Sequence, residues 1–555
     1  MGARHLPYWP PVPRQLTPPA TSLWFNLVVS ATRFPGKPCV QLYDSTLTFA
    51  DVRREAERLA GYLQRGCGVR RGDRVALYLQ NSPQFLIAYY AILRADAMVV
   101  PINPMNLTRE VGHIVDDSGA RVLIVAQDQL TRVTSFVGAG GDRGPGHLIV
   151  ACYGDYLTAP TDLDVPGWIR APRQAHAGRN ITLWSDAIAA GLSPGPHLAG
   201  PDDLCVMPYT SGTTGNPKGC IHRHRSVVFN TAAAPQWHRV YQDERLLSVL
   251  PFFHVTGMQG GMNVPIFTGS TIVLLPRWDR DVAAELIRRY RITQLSMVPT
   301  MVVDLLSSPH LERYDLSSIR RISGGGAAMP EAIAQKLKDL CGLDFVEGYG
   351  LSETIAATHV NPPQRPKKQC LGIPYFNVES RVVDPETLVE LPPGETGEIV
   401  SSGPQVFDGY WNNPEATAAC FVELDGRRFF RTGDLGRTDE DGYFFLVDRL
   451  KRMINVAGFK VWPAEVESML YAHPAIHEAV VIACKDPRRG ESAKAIVVLK
   501  PSARGTVDEA ELLRWAHDNM AAYKVPASFE LAEALPKSAT GKILWRVLQE
   551  QQAAQ

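Results

Sequence analysis

Apolar runs of strand length alternate with helix-like periods through the first part of the chain. Residues 75–79 and 98–102 are short apolar runs, and residues 83–95 begin with a proline in the first turn of a predicted helix. A second helix is predicted over residues 107–117 and a buried strand over residues 122–126. This alternation is typical of βαβ units around a largely parallel sheet.

The same alternation resumes in the middle of the chain. Strands are predicted over residues 271–275, 295–298 and 345–347, and helices over residues 281–290 and 330–340. The two alternating regions together predict a large body built from parallel strands with helices on their faces.

Three stretches interrupt this pattern. Residues 138–146 and most of 159–203 are rich in Gly and Pro with little periodicity, which predicts surface loops. Residues 246–276 contain no Lys, Arg, Asp or Glu, but Pro251, Pro265 and four glycines argue against a membrane-spanning helix. We interpret this region as a buried strand, a loop and a second strand.

The pattern changes after about residue 394. Short strands and charged turns alternate over residues 432–460, and a helix is predicted over residues 463–472. The last part reads as a small α+β unit, with strands at 479–483 and 495–499 and a helix at 508–520. The predicted fold class is therefore α/β, with a large N-terminal body of βαβ-type sheets flanked by helices and a small α+β C-terminal domain.

Composition narrows the function further. The 555 residues carry 57 Lys and Arg against 57 Asp and Glu, so the chain lacks the excess positive charge typical of a nucleic-acid binder. The nine cysteines form no close pair that could hold zinc or act in redox chemistry, which favours reduced core thiols and a cytoplasmic protein. The N-terminus has no apolar signal segment, and no transmembrane segment is predicted.

A glycine- and hydroxyl-rich segment, Tyr209-Thr-Ser-Gly-Thr-Thr-Gly-Asn-Pro-Lys-Gly219, follows an apolar run at residues 204–207. Its glycines let backbone N–H groups point inward, its hydroxyls add donors, and its lysine adds a positive charge, which together describe a polyphosphate cradle. The spacing does not match a Walker A loop, and the alternative is an ordinary Gly, Ser and Thr turn. The candidate phosphate-binding residues are Thr210, Ser211, Gly212, Thr213, Thr214, Gly215 and Lys218.

This segment is the first of seven that resemble, in order, the signatures of the adenylate-forming superfamily of acyl-CoA synthetases, luciferases and peptide-synthetase adenylation domains. The overall likeness is greatest to bacterial medium- and long-chain fatty-acid–CoA ligases, clearest at residues 369–374 and 403–411. The other segments are Pro251-Phe-Phe-His-Val255, Ser323-Gly-Gly-Gly-Ala327, Gly348-Tyr-Gly-Leu-Ser-Glu353, Thr432-Gly-Asp-Leu435, Asp448-Arg-Leu-Lys451 with Gly458-Phe-Lys460, and Pro536-Lys-Ser-Ala-Thr-Gly-Lys542.

The resemblance implies roles for these residues. Tyr349 offers a flat face to adenine, Glu353 offers a carboxylate to Mg²⁺, and Asp434 and Arg449 approach the ribose. Without the resemblance, Tyr349 would read as a core aromatic, Asp434 as a turn residue and His254 as a buried core histidine. The further ATP- or AMP-binding residues implied are Gly324, Gly325, Gly326, Gly348, Gly350, Ser352 and Lys542, and the acyl-binding residues are His254, Gly324, Gly325 and Tyr349.

The resemblance also divides the chain into an adenylation domain, residues 1–448, and a mobile lid domain, residues 449–555. Lys451 lies at the implied hinge, with Gly458 and Lys460 serving the coenzyme A half of the reaction. Lys542 is implied to contact both the attacking carboxylate and the α-phosphate, where a solvated surface lysine is the alternative. The implied catalytic residues are Lys542, Thr210, Glu353 and His254.

Other features of the sequence qualify this reading. His222 and His224 alternate with two arginines but have no third ligand nearby, which favours a solvated basic turn that opens a helix over a metal or nucleic-acid site. Ser352 stands where relatives commonly carry Thr and keeps the hydroxyl. Asn455 stands where luciferases carry Lys, which weighs against a light-emitting second step. Acetylation of Lys542 would remove its charge, which is a hypothesis for regulation.

The predicted enzyme is an ATP- and Mg²⁺-dependent acid–thiol ligase that forms acyl-AMP and then acyl-CoA. A medium- or long-chain fatty acid is favoured, because residues 246–276 lack charge and their glycines leave room for a chain. An aryl or short-chain acid stays open, as does a stand-alone adenylating enzyme that loads a carrier protein. A non-enzymatic nucleotide-binding scaffold is least favoured. A homodimer and a weak association with membrane surfaces stay open, and no nucleic-acid partner is expected.

Overall fold

The computed structural model describes residues 4–134, 145–176, 178, 180–210, 217–326, 329–449, 452, 454–456, 459–486, 490–538 and 543–553. The chain divides into two compact units. The main unit comprises Leu6–Glu379 and Ser402–Phe421, and the C-terminal unit comprises Met1–His5, Ser380–Ser401 and Val422–Gln555. The predicted α/β fold class is confirmed.

The main unit contains helices and strands in alternation. Its helices are α1 (Trp24–Arg33), α2 (Phe49–Arg65), α3 (Pro83–Arg94), α4 (Thr108–Ser118), α5 (Gly167–Arg170), α6 (Trp184–Ala189), α7 (His224–His238), α8 (Val264–Thr268), α9 (Arg280–Tyr290), α10 (Pro299–Leu306), α11 (Glu331–Cys341) and α12 (Pro414–Ala419). Its strands are β1 (Pro38–Leu42), β2 (Ser45–Thr48), β3 (Arg74–Tyr78), β4 (Met98–Pro101), β5 (Val122–Ala126), β6 (His147–Ala151), β7 (Ile181–Leu183), β8 (Leu204–Val206), β9 (His222–Arg223), β10 (Arg245–Ser248), β11 (Thr271–Leu274), β12 (Gln294–Met297), β13 (Arg321–Gly325), β14 (Phe345–Leu351), β15 (Ala356–Val360) and β16 (Ile373–Pro374).

Two sheets organise the main unit. The first has the strand order β7-β6-β5-β3-β4-β8-β9, and its strands are parallel except for β9. The second has the order β16-β15-β14-β13-β12-β10-β11-β1-β2. In this second sheet β1 and β10 to β14 are parallel, while β2, β15 and β16 are antiparallel to their neighbours.

Helix α3 explains how the core of the main unit is filled. It is buried from Pro83 to Leu93, as expected of a helix that is apolar on all sides. Its start is fixed because Ser82 accepts the N–H of Phe85 at 3.1 Å and Pro83 occupies the first turn. The predicted helix over residues 83–95 is thus confirmed to within a residue.

The C-terminal unit contains two further sheets. One has the order β17-β18-β20-β19, with β21 paired to β20, and the other has the order β23-β22-β25-β24, with β26 paired to β25. Their strands are β17 (Glu379–Val383), β18 (Gly397–Ser402), β19 (Phe421–Leu424), β20 (Arg427–Thr438), β21 (Phe444–Arg449), β22 (Ile454–Val456), β23 (Phe459–Val461), β24 (Ile476–Asp486), β25 (Gly490–Leu499) and β26 (Ser528–Leu531). The helices are α13 (Pro463–Leu470), α14 (Glu509–Asn519) and α15 (Trp545–Ala553).

The uncharged region at residues 246–276 differs from its interpretation. The two predicted strands are present as β10 and β11 and pair in parallel. The segment between them is not a loop, because it contains the π-helical stretch Gly257–Asn263 and then α8. Glycine and proline are poor helix formers, so the helical character was missed, and it is burial among apolar neighbours that stabilises it.

Two other expectations are corrected. Residues 159–203 contain α5, β7 and α6, so they are not purely loops, while residues 138–146 lie mostly outside the described part of the chain. His222 and His224 are buried rather than solvated, although α7 does begin at His224 as predicted. All nine cysteines are free thiols.

Among the residues that the structure describes, no helix combines the length and the apolar character needed to cross a lipid bilayer.

Candidate active site

The two ends of the predicted phosphate-binding loop meet at its base. The N–H of Thr210 donates to the carbonyl of Lys218 at 2.9 Å, and the N–H of Lys218 donates to Thr210 Oγ1 at 3.2 Å. Tyr209 and Gly219 form an antiparallel bridge just outside this pair. The two ends of the segment are therefore held together by paired main-chain groups. The residues between, including Ser211, Gly212, Thr213, Thr214 and Gly215, lie outside the described residues.

Lys218 and Glu353 contact the same tyrosine, Tyr410. The ammonium nitrogen of Lys218 lies over the Tyr410 ring, 4.4 Å from its centroid. The Tyr410 hydroxyl donates to Glu353 Oε1 at 2.8 Å. Burial raises the pKa of Tyr410, and the nearby Glu353 carboxylate raises it further, so the phenol stays protonated. The sequence marks residues 403–411 only by their likeness to fatty-acid ligases and gives no sign that Tyr410 contacts both charged groups.

The segment that carries Glu353 is held by two main-chain contacts. The imidazole Nε2 of His222 donates to the carbonyl of Ser352 at 2.7 Å, and the N–H of Phe407 donates to the carbonyl of Glu353 at 2.8 Å. Burial lowers the pKa of His222 to about 4, so this imidazole is neutral at physiological pH. His222 therefore supports the segment around Ser352 rather than a metal.

The predicted adenine and acyl residues lie at the carboxyl ends of neighbouring parallel strands. Gly324 and Gly325 end β13, and Gly325 pairs with Gly348 of β14. A Cβ on Gly325 would come within 2.4 Å of the Gly348 carbonyl, so only glycine fits there. Tyr349 is half-buried with its ring 5.6 Å from His359, and is not a core aromatic. Ligands of open α/β sheets bind at this edge.

His254 lies in a bend just before the helical turn that leads into the π-helical stretch Gly257–Asn263. Its N–H donates to Pro251 at 3.1 Å, and its carbonyl accepts the N–H of Met258 at 2.9 Å. Its side chain is exposed, so the alternative of a buried core histidine is wrong. A role at the acyl site stays a prediction.

A buried carboxylic acid, Glu347, precedes Gly348 on β14. Its Oε1 accepts the N–H of Met329 at 2.8 Å and its Oε2 the N–H of Cys370 at 3.3 Å. Loss of hydration raises its pKa from 4.5 to about 7, although these backbone donors pull the pKa down. Glu347 joins the segments after β13 and before β16, and sequence reasoning did not identify it.

The C-terminal unit carries the predicted ribose residues. Asp434 of β20 is buried, and its Cα is the direct partner of Arg449 on β21. The two residues that the resemblance assigns to one ribose are thus neighbours in the sheet, and Asp434 lies in a strand rather than a turn. Lys451, Gly458 and Lys542 lie outside the described residues, as do the side chains of Arg449 and Lys460.

Comparison with known proteins agrees with this arrangement. Residues 27–411 match the AMP-binding enzyme family, and residues 465–542 match the AMP-binding enzyme C-terminal domain. A long-chain-fatty-acid–CoA ligase of Bacillus subtilis (strain 168) is 37% identical, over 98% of this chain and 96% of its own. A feruloyl-CoA synthase of Amycolatopsis sp is 35% identical, over 92% and 95%. The crystal structure of ATP-bound MatB from Rhodopseudomonas palustris superimposes with a TM-score of 0.84 at 29% identity, covering 96% of this chain and 98% of that one.

Proposed function

Because this chain belongs to the family of AMP-binding enzymes, and within it to the acyl-CoA synthetases, we propose that its acid substrate is a medium- or long-chain fatty acid. The carboxylate attacks the α-phosphorus of ATP to give acyl-AMP and pyrophosphate. The thiol of coenzyme A then displaces AMP and forms the thioester. Neither half needs a nucleophile from the protein, since the substrates supply both.

The geometry that supports ATP activation is the link between the phosphate loop and Glu353. Lys218 lies at the base of the loop, where its ammonium contacts the ring of Tyr410. The hydroxyl of the same tyrosine donates to the Glu353 carboxylate. A lysine suits the negative charge of a polyphosphate, and a carboxylate suits the cation that accompanies it. This is the observation on which the adenylation half rests.

Glu353 fits the requirements of Mg²⁺. It is half-buried, and its Oε1 already accepts the hydrogen bond from Tyr410, so the carboxylate is oriented before a ligand arrives. Mg²⁺ is usually held by one or two carboxylates together with substrate phosphates and waters. When bound, the ion would neutralise charge on the departing pyrophosphate. Glu353 and the phosphate loop are the residues that would hold it.

The preference for a fatty acid is supported by the uncharged region between β10 and β11. Within it, Gly260 is half-buried, and a Cβ there would meet only Ser296 Oγ within 4 Å, at 3.9 Å. The backbone at Gly260 therefore leaves room beside β12 for part of a substrate chain. The similarity to the Bacillus ligase points the same way, and no basic residue of residues 246–276 could bind a second carboxylate.

An aryl acid is the second candidate, because the feruloyl-CoA synthase is nearly as similar as the fatty-acid ligase. The experiment is AMP release from ATP and Mg²⁺, with and without coenzyme A, across acetate to palmitate, benzoate and ferulate. Turnover that depends on coenzyme A and peaks at one chain length supports a fatty acid. A maximum at benzoate or ferulate would replace it with an aryl acid, and adenylation without thioester would indicate a carrier-protein acceptor.

A further inference from the structure

Tyr410 has two chemically different contacts, one with Lys218 and one with Glu353, both charged residues of the proposed nucleotide site. Its ring face receives the Lys218 ammonium at 4.4 Å from the centroid, and its hydroxyl donates to Glu353 at 2.8 Å. Cations are attracted to the face of a phenol ring, and a carboxylate accepts strongly from its hydroxyl. One neutral side chain therefore contacts a cation and an anion at the same time.

The backbone fixes Tyr410 against the strand that leaves the phosphate loop. The N–H of Trp411 donates to Gly219 at 2.8 Å, and the N–H of Ile221 donates to Gly409 at 3.0 Å. Tyr410 itself is the antiparallel partner of Cys220, two residues after Lys218. Its position relative to Lys218 is thus set by an isolated antiparallel bridge and its flanking main-chain hydrogen bonds, and not by side-chain packing alone.

The same segment also holds Glu353. The N–H of Phe407 donates to the Glu353 carbonyl at 2.8 Å, and the Phe407 ring packs edge-on against Tyr410 with centroids 4.9 Å apart. The N–H of Tyr410 donates to Thr417 Oγ1 at 2.9 Å. Because the ring is packed and its main chain is bonded on both sides, the hydroxyl has a fixed direction towards Glu353.

We propose that Tyr410 is a positioning residue that holds the Lys218 ammonium and the Glu353 carboxylate at a fixed separation for ATP and its Mg²⁺. This inference rests on the proposed function. The ring face of Tyr410 contacts the Lys218 ammonium, and its hydroxyl contacts the Glu353 carboxylate. Lys218 stays directed to the polyphosphate, and the Glu353 carboxylate stays oriented to the cation that accompanies it.

Two substitutions separate the two contacts. Tyr410→Phe keeps the ring under Lys218 and removes only the hydroxyl, so the affinity for ATP should fall about tenfold with Mg²⁺ and stay near wild type in EDTA. Tyr410→Leu removes both contacts and should weaken ATP binding roughly three- to tenfold even in EDTA. Calorimetric titration of the full-length protein with ATP measures both, independently of turnover.

The controls distinguish positioning from folding. Tyr241→Phe, at a tyrosine that is 57% exposed, should bind ATP as the wild type does. In a Glu353→Gln background, Tyr410→Phe should add little to the loss of ATP affinity, because the hydroxyl then has no carboxylate to orient.

A Tyr410→Phe protein with unchanged ATP affinity, or with equal losses of affinity in Mg²⁺ and in EDTA, would overturn the inference. A wild-type protein that binds no ATP would overturn the proposed function and the inference together.

Discussion

Glu347 is a carboxylic acid whose charge is opposed by its loss of hydration. It is 6% exposed and lines a small cavity together with Lys367 and Lys368. Its folded-state pKa of about 7 lies above the ordinary value of 4.5. The folded protein therefore keeps a proton that the unfolded chain has released between these two pH values, and the stability that Glu347 contributes falls as pH rises through that window.

Replacing Glu347 with Gln should remove this pH dependence. The amide mimics the protonated acid and never ionises. Between pH 4.5 and pH 8 the free energy of unfolding of Glu347→Gln should therefore rise by roughly 3 kcal/mol relative to that of the wild type. Loss of the acceptor for the Cys370 N–H adds a cost that does not vary with pH. Thermal unfolding midpoints of both proteins at several pH values measure the difference.

The control for Glu347 is Glu331→Gln, at a side chain that is 71% exposed and 3.3 Å from Lys368. Its midpoint should follow that of the wild type at every pH. If the thermal midpoints of Glu347→Gln and wild type differed by the same amount at pH 5 and at pH 8, the Glu347 carboxyl would not be titrating in this range.

The division of labour implied for Lys542 gives a second prediction. Lys542→Ala should lower the rate of acyl-AMP formation by roughly a hundredfold or more, because the charge on the α-phosphate loses its stabilising ammonium. Thioester formation from supplied acyl-AMP should be largely retained. Separate assays of the two halves test this, with Lys485→Ala, an exposed lysine, as the control. Equal loss of both halves would contradict the assignment.

At the residue scale, the sequence identified groups whose chemistry is visible in their side chains. The sequence predicts Lys218 and Glu353 because a lysine after a glycine-rich loop and an acid after Gly-Tyr-Gly form recognisable motifs, and their roles stay predictions. Tyr410 and Glu347 are not predicted from the sequence. The contacts of the Tyr410 side chain and the burial of the Glu347 carboxyl group both depend on parts of the chain that are distant in sequence. His222 was misread for the same reason, since burial cannot be read from an Arg-rich neighbourhood.

The strands β12 and β13 approach each other closely at the site. Gly324 pairs with Met297 in the parallel register, and a Cβ on Gly324 would come within 1.9 Å of the Met297 carbonyl. The two backbones can be this close only because Gly324 has no side chain. The glycine is therefore required by the sheet itself, apart from any ligand.

Gly324→Ala should force these strands apart. We expect a loss of about 2 kcal/mol or more in the stability of the main unit, together with weaker binding of ATP. Chemical denaturation followed by tryptophan fluorescence measures the first effect. Gly36→Ala is the matched control, because a Cβ there meets nothing within 4 Å, and it should be nearly neutral. Equal midpoints for the two variants would contradict the close approach.

At the element scale, the pattern of apolar residues predicts strands and helices well where a strand-like or helix-like spacing continues over the whole element. The strand over residues 122–126 is observed with the same bounds, and β14 extends beyond its predicted end at residue 347 because it pairs with the antiparallel β15. The π-helical stretch Gly257–Asn263 was not predicted, because its glycines favour no regular element and its wide turn is stabilised by tertiary packing.

The predicted domain boundary, between residues 448 and 449, falls within the last strand of the first sheet of the C-terminal unit, one residue before that strand ends. β21 ends at Arg449, and β22 of the second sheet begins at Ile454. The second sheet has its own buried cluster, formed by residues such as Val461, Val497 and Leu512. Nothing yet tests this boundary, so it stays a prediction.

A fragment of residues 449–555 should fold alone, because its sheet and helices enclose that cluster without the strands β17 to β21. We expect a cooperative thermal transition by circular dichroism and slow amide exchange in β24 and β25. A longer fragment, residues 380–555, is the matched comparison. If only the longer fragment unfolds cooperatively, the domain boundary lies near residue 380 instead.

The parallel pairing of β1 with β11 also determines the earliest point in synthesis at which β1 can join its sheet. Val40 lies opposite Ile272, so its partner is synthesised about 230 residues later, which takes roughly 10 to 50 seconds at ordinary elongation rates. The strands β3 to β9 are all complete before that point, so their sheet can form first. During this interval the edge of β1 that later pairs with β11 has no partner strand. A chaperone that binds the nascent chain would act most usefully on this edge.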